Sequence, residues 1–271
     1  MGFPLVLEDQ SAQADFARVL QRVYSPRLAS LRGLRMKAVH VAAAALLAAA
    51  AGCARVSLPA PGGPRTLPLR AYPVEGPGQA LAVLLSGDGP GAGLANRLAD
   101  DLQGAGVPAV VWHSTSYYWT PRTPEEAARD LDLVIRHYGS LWNRNRVVVV
   151  GYSMGADVAP FLLNRLPTGT REQVRAVALL AMAHDAIFEF RVQQWWTAPS
   201  APSLAVRPEL EKLRGTRVLC VHGRGDEKGA CPEVATSGAT VVELQGGHHF
   251  RGDYPRLSRV VVDLARAVDR P

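Results

Sequence analysis

The sequence predicts an α/β fold: a mostly parallel central sheet with helices on both faces. Three observations predict it. Short, continuously apolar runs recur along the chain, as strands covered on both sides require. Segments of helical period separate them, and the 271 residues, 48% apolar and 20% charged, suffice for one large core. The 25 Gly and 20 Pro are dispersed, and no segment of repeat length recurs, so collagenous, disordered and solenoid architectures are excluded.

Taken in order, Leu67–Tyr72 reads as an antiparallel strand at the edge of the sheet. Ala80–Ser86 (ALAVLLS) is an uninterrupted core strand, ending in Gly87-Asp88-Gly89-Pro90-Gly91 before a helix over Leu94–Gly104. Pro108–His113 is the next strand. Thr123 is a helix cap, with Pro124 in the first helical position and Glu125 and Glu126 in the first turn. Ala127, Leu131, Val134, Ile135 and Tyr138 then share one helix face. Strands follow at Arg146–Val150, Val174–Met182, Arg217–Val221 and Thr240–Leu244, with helices at Gly155–Leu166 and Tyr254–Val268. Residues 185–208, with Phe188, Phe190, Trp195 and Trp196, fit neither period. They read as an insertion over the carboxyl edge of the sheet, where ligands bind in such folds.

The domain so defined spans residues 66–271. Ahead of it, Ala38–Ala51 is too short to cross ~30 Å of hydrocarbon at ~1.5 Å per residue. With Met36-Lys37 before it and Ala50-Ala51-Gly52 before Cys53, segment 36–52 resembles a lipoprotein signal. Cys53 is then the lipidated residue of an exported, membrane-anchored chain. Residues 1–35 are either upstream of the true start at Met36 or a short cytoplasmic segment, and the Pro/Gly-rich stretch 53–65 reads as a tether. The formal net charge is +6, half of it contributed by the first 52 residues. The remaining arginines are scattered singly, so no nucleic-acid partner is expected. No His/Cys/carboxylate spacing suits zinc and no Gly-rich loop with its Lys suits a nucleotide, so no metal and no cofactor is expected.

The strongest chemical signal is Gly151-Tyr152-Ser153-Met154-Gly155, between a strand and a helix. A nucleophile elbow needs a serine on this sharp turn, with glycines where neighbouring backbone comes close. That narrows the class to the α/β-hydrolase fold. A hydroxyl needs a base, and the order in such folds is serine, acid, histidine. Gly246-Gly247-His248-His249-Phe250 supplies a histidine pair. His249, followed by an aromatic, is the preferred base, leaving His248 as a neighbour or substrate contact; the reverse assignment stays open. Asp226, five residues past Val221, is the acid, with Glu227 and Asp185 as substitutes. The N–H groups of Met154 and Asp88 are the oxyanion donors. Asp88 and Asp157 could also face a cationic group, or could be a turn residue and a helix-dipole partner. Cys220 and Cys231 flank the acid's loop; in an exported chain they can pair, and in a reducing compartment they stay thiols.

Five segments together resemble the VirJ/AcvB family of bacterial virulence-associated α/β-hydrolases: LLSGDG (84–89), SYYWTPRTPEEAARDL (116–131), VVGYSMGADVAPFLLNRLP (149–167), LCVHGRGD with Cys231-Pro232, and GGHHFRGDY (246–254). The resemblance covers about residues 67–268. It implies a periplasmic serine esterase that removes the amino acid from aminoacyl-phosphatidylglycerol, a cationic membrane lipid. Asp88 or Asp157 would then meet the amine. Tyr117, Tyr118, Trp119, Trp195 and Trp196 would meet lipid at the pocket mouth unless they belong to the core, with Tyr118 the preferred substrate contact. The family's association with DNA-transfer virulence also implies a possible role as a secretion-system component. Ala54 after Cys53 resembles outer-membrane sorting, which sits awkwardly with an inner-membrane substrate.

Overall fold

The computed structural model describes residues 55–61, 63, 65–88, 92–190, 202–213, 215–234 and 238–270. Segment 36–52, Cys53 and residues 1–35 lie outside the described residues, as do Trp195 and Trp196. Among the described residues, eight strands form one sheet: β1 (Arg55–Leu58), β2 (Arg65–Tyr72), β3 (Ala80–Leu85), β4 (Ala109–Trp112), β5 (Arg146–Tyr152), β6 (Val174–Leu180), β9 (Arg217–Gly223) and β10 (Thr240–Leu244). Their spatial order is β1-β2-β4-β3-β5-β6-β9-β10. β4, β3, β5, β6, β9 and β10 run parallel, and the antiparallel pairings of this sheet are β1 with β2 and β2 with β4.

The continuous apolar runs have the expected cause. Along β5, Val147 and Val149 enter one core and Val148 and Val150 the other, all four at most 1% exposed. The first core is closed by α3 (Pro124–Leu141) and α4 (Met154–Asn164), through Leu131, Ile135 and Leu162. The second is closed by α1 (Ala92–Gly104) and α8 (Tyr254–Asp269), through Leu98, Leu102, Leu257 and Val261. Each strand residue therefore loses water whichever way it points, so strict alternation disappears from the sequence. The cap of α3 forms as its residues predict. Thr123 Oγ1 accepts from Glu126 N at 3.1 Å, and Glu126 Oε2 accepts from Thr123 N at 2.9 Å.

Two sequence readings need correction. β2 is not the edge of the sheet, and the stretch 53–65 is not all tether: Arg55–Leu58 forms β1, pairing with the half of β2 that projects beyond β4. Four residues are too few to show a period, yet Leu58 is 1% exposed and inserts into the first core. The short elements α2 (Ser114–Tyr118), α5 (Thr168–Gln173), α6 (Arg207–Glu211) and α7 (Cys231–Val234) also escape periodicity. The insertion begins as predicted at the carboxyl end of β6, where β7 (Asp185–Ala186) pairs antiparallel with β8 (Leu204–Ala205). Phe188 is buried between Tyr118 and Phe161, and Phe190 N donates to Tyr118 O at 2.7 Å.

A buried charge fixes the sheet's projecting end to the helices. Asp130 on α3, 1% exposed, takes two hydrogen bonds from the Arg65 guanidinium at 2.9 and 2.7 Å and a third from Tyr117 Oη at 2.7 Å. Burial and that carboxylate both raise the Tyr117 pKa, so the phenol stays a neutral donor. Replacing Asp130 with Asn leaves Arg65 without its fork partner, and a loss of about 2–3 kcal/mol is expected in urea denaturation.

Candidate active site

Ser153 follows β5 and precedes α4, with φ 52° and ψ −124°. Non-glycine residues rarely hold a positive φ, and here it turns the side chain out of the sheet plane at a strand-to-helix corner. The glycines around it have specific jobs. A Cβ on Gly151 would stand 2.4 Å from Gly155 O, and one on Gly155 would stand 2.1 Å from Leu85 O. A Cβ on Gly87 would meet the Tyr152 ring at 2.9 Å and Ser153 Cβ at 3.3 Å, which places the loop after β3 against the elbow. Ser153 O accepts from the N–H groups of Ala156 and Asp157. The N–H of buried Met154 opens α4, where first-turn donors have no acceptor within the helix. Asp88 is half-buried in the loop following β3, whose residues 89–91 lie outside the described residues.

The acid and histidine loops are laced together by backbone. Arg224 N donates to Leu244 O at 2.9 Å and Gly225 N to Gly246 O at 2.8 Å. Gly246 has φ +98°, and a Cβ there would stand 2.5 Å from Arg251 N. Phe250, fully buried, pins the far end of the histidine loop in the second core. Between these fixed points His248 bridges the other two groups. Its Nε2 lies 2.9 Å from Ser153 Oγ and its Nδ1 lies 3.1 Å from Asp226 Oδ2. The Asp226 side chain is 5% exposed and that of His248 is 35% exposed, so the acid is shielded while the imidazole borders the open site.

The preferred reading of His249 does not fit this geometry: His248, not His249, stands between Ser153 and Asp226. His249 Nδ1 instead lies 2.7 Å from Tyr152 Oη, and its ring stands at 83° to that of His248, with centroids 5.3 Å apart. Burial pushes the Tyr152 phenol up, keeping it neutral beside His249. The aromatic after the histidine pair, Phe250, is buried in the second core and pins the loop. Tyr152 is a neighbour of the histidine pair that sequence reasoning missed; an aromatic ahead of the serine is the trace it leaves.

The other predicted residues separate clearly. Tyr118 is 2% exposed and packs edge-on against Tyr117 and Phe188, so its ring belongs to the core rather than to an open pocket wall. Tyr117 is buried on Asp130, whereas Trp119 is 63% exposed. Glu227 and Asp185 are exposed, and neither takes Asp226's place at His248. Asp157 is half-buried on the first turn of α4, where its Oδ1 accepts from Ala183 N at 2.7 Å. Burial raises its pKa well above the ordinary carboxyl value, and the charges of Asp88, Asp226 and Asp185 push it further the same way. Cys220 on β9 and Cys231 at the start of α7 form a disulfide spanning 11 residues and enclosing the Asp226 loop. Reduction is expected to cost about 2–4 kcal/mol, read as a fall in thermal midpoint with reductant that a Cys220→Ser/Cys231→Ser double variant no longer shows.

Residues 79–268 match the family model described as bacterial virulence protein (VirJ). The chain belongs to the VirJ family. No curated protein matches this VirJ-family chain in sequence. Among solved structures it is similar to DcsB in complex with its substrate analogue, at 14% identity and TM-score 0.59, covering 80% of this chain and 99% of that one. It is also similar to the esterase domain of a Rhodothermus marinus protein, at 15% identity and TM-score 0.56, covering 80% and 99%. A Pyrococcus furiosus esterase aligns at 11% identity and TM-score 0.58, covering 80% and 93%. These similarities establish the α/β-hydrolase fold of the VirJ-family chain.

Proposed function

We propose that the chain is a serine esterase that hydrolyses the aminoacyl ester of aminoacyl-phosphatidylglycerol, working in the periplasm from a lipid anchor on Cys53. The observation that carries the esterase reading is the single line of contacts Ser153–His248–Asp226. His248 takes the proton of Ser153 as Oγ attacks the ester carbonyl. Asp226 holds the ring's orientation and stabilises the imidazolium. Negative charge on the carbonyl oxygen is met by the Met154 N–H at the start of α4 and by backbone of the loop carrying Asp88, which lies against the elbow. His248 then returns its proton to the departing lipid hydroxyl, and water attacks the acyl-enzyme by the reverse sequence.

The cationic character of the substrate is supported by the carboxylates around the site. Asp157 pays for its burial with a raised pKa, and Asp88, Asp226 and Asp185 add negative potential around it. An ammonium group would offset that repulsion. The test is hydrolysis of lysyl- or alanyl-phosphatidylglycerol in mixed micelles. Ser153→Ala is expected to abolish it while circular dichroism is unchanged. Release of other acyl groups with the aminoacyl lipid untouched would keep the esterase and discard the substrate.

Asp157 gives a second expected result. The arriving ammonium favours the ionised form of the Asp157 carboxyl, a charge an amide cannot supply, so Asp157→Asn should raise KM for the aminoacyl lipid by about 10-fold or more and leave a neutral short-chain ester nearly unaffected. The same change acts on stability in the opposite direction. The native carboxyl holds its proton to higher pH than the unfolded one, so native stability falls as pH rises between the two values. Asp157→Asn removes that fall, and urea midpoints measured from pH 4 to pH 8 should diverge in its favour as pH increases.

A further inference from the structure

The carboxyl edge of the sheet carries a second feature, at β1, separated from β5 by three strands. Arg55 pairs in register with Pro68, whose carbonyl accepts from His113 N just past the end of β4. Arg55 thus stands level with the edge from which β5 delivers Ser153. Near it, α2 ends at Tyr118 and the chain runs through Trp119 to Arg122. Arg55, Arg122, Thr66, Thr115, Thr120 and Trp119 line an open cleft of about 410 Å³, and no carboxylate lines it.

Arg122 is held in place, and Arg55 is exposed. The Arg122 guanidinium lies 5.1 Å from the Tyr117 ring centroid, and its buried Nε has no hydrogen-bond partner. Arg122 N donates to Phe188 O, which fixes the segment to the insertion. Arg65, the neighbouring cation, is by contrast fully engaged by Asp130. Trp119 is the most exposed large apolar side chain among the described residues, at 63%, with its ring leaning on Phe190 at 5.7 Å. An indole standing in water beside two guanidinium groups that make no ion pair among the described residues matches the interface of a bilayer, where Trp sits at headgroup depth and Arg meets phosphate.

We propose that this face docks on the anionic headgroups of a phospholipid bilayer, with Trp119 entering the interface and Arg55 and Arg122 taking phosphodiester oxygens. The inference rests on the lipid-esterase reading only for its purpose, which is to present the Ser153 edge to the membrane. Cys53, two residues before Arg55, would tether the chain beside the same surface.

The test uses the full chain carrying Cys53→Ser, so that no acyl group contributes. Sedimentation with phosphatidylcholine vesicles is compared with vesicles containing phosphatidylglycerol. Binding is expected to rise steeply with the anionic lipid and to fall about 10-fold or more in Arg55→Glu, at about 1 kcal/mol per charge near the surface. Trp119→Ser should weaken it several-fold, and bromine-labelled acyl chains should quench the parent's emission more than that of Trp119→Phe. Equal binding of the parent and Arg55→Glu to anionic vesicles, or quenching that Trp119→Phe leaves unchanged, would overturn the proposal. Hydrolysis of a short water-soluble ester, measured alongside, should be unaltered in these surface variants. A parent that binds anionic vesicles as described but lacks that ester activity supports the docking face and removes the esterase reading instead.

Discussion

His248→Ala is expected to lower kcat/KM on a soluble short-chain ester by about 10⁴-fold or more, whereas His249→Ala should cost less than about 10-fold. The two residues are neighbours in the chain and both are imidazoles, so composition, charge and loop are held constant. What differs is which atom each ring reaches. His248 is 2.9 Å from Ser153 Oγ and 3.1 Å from Asp226, and without it the hydroxyl has no acceptor for its proton. His249 reaches Tyr152 Oη, and its loss removes one contact behind the elbow. Asp226→Asn should fall beside His248→Ala, because it upsets the tautomer and leaves the imidazolium uncompensated. Steady-state rates of the three variants, with circular dichroism as a folding control, decide the matter. A greater loss in His249→Ala than in His248→Ala would reverse the assignment.

The histidine pair also shows what the chain discloses locally and what it withholds. The parallel sheet was legible because Ala80–Leu85, Val147–Val150 and Ala176–Leu180 are buried on both faces, which leaves a signal in every one of those residues. The cap at Thr123 and the elbow at Ser153 were legible because their geometry demands particular residues at fixed offsets. The choice between His248 and His249 depends on how the loop twists between the Gly225–Gly246 contact and the buried Phe250, a tertiary constraint carried by residues distant in sequence. Tyr118 misled for a related reason. An aromatic near the carboxyl edge can face the pocket or the core, and what decided it was Phe188, contributed by an insertion 70 residues later. β1 was hidden by its brevity, since only Val56 and Leu58 carry its pattern.

Gly155→Ala is expected to destabilise the fold by about 3 kcal/mol or more, at the upper end of what overpacking costs. The new Cβ would lie 2.1 Å from Leu85 O, 2.6 Å from Leu85 C and 2.8 Å from Ser86 O. All three are backbone atoms at the end of β3, a strand held on both sides by β4 and β5, so no side chain can swing aside to relieve the contact. Relief must come from moving α4 away from the sheet, which opens the core packed by Phe161 and Leu162. Gly169→Ala is the matched control: it lies exposed on α5, a Cβ there meets nothing within 4 Å, and the change should be neutral or stabilising by up to about 1 kcal/mol. Urea midpoints compare the two. The folded fraction of Gly155→Ala should also lose esterase activity beyond its loss of stability. The shift that frees the Cβ carries Ser153 and the Met154 N–H with it, and a displacement of about 1 Å at reacting atoms is worth roughly 10²-fold in rate. A Gly155→Ala chain with parental stability would mean that the close approach of α4 to β3 does not hold the serine in place, and the account of the elbow would fail with it.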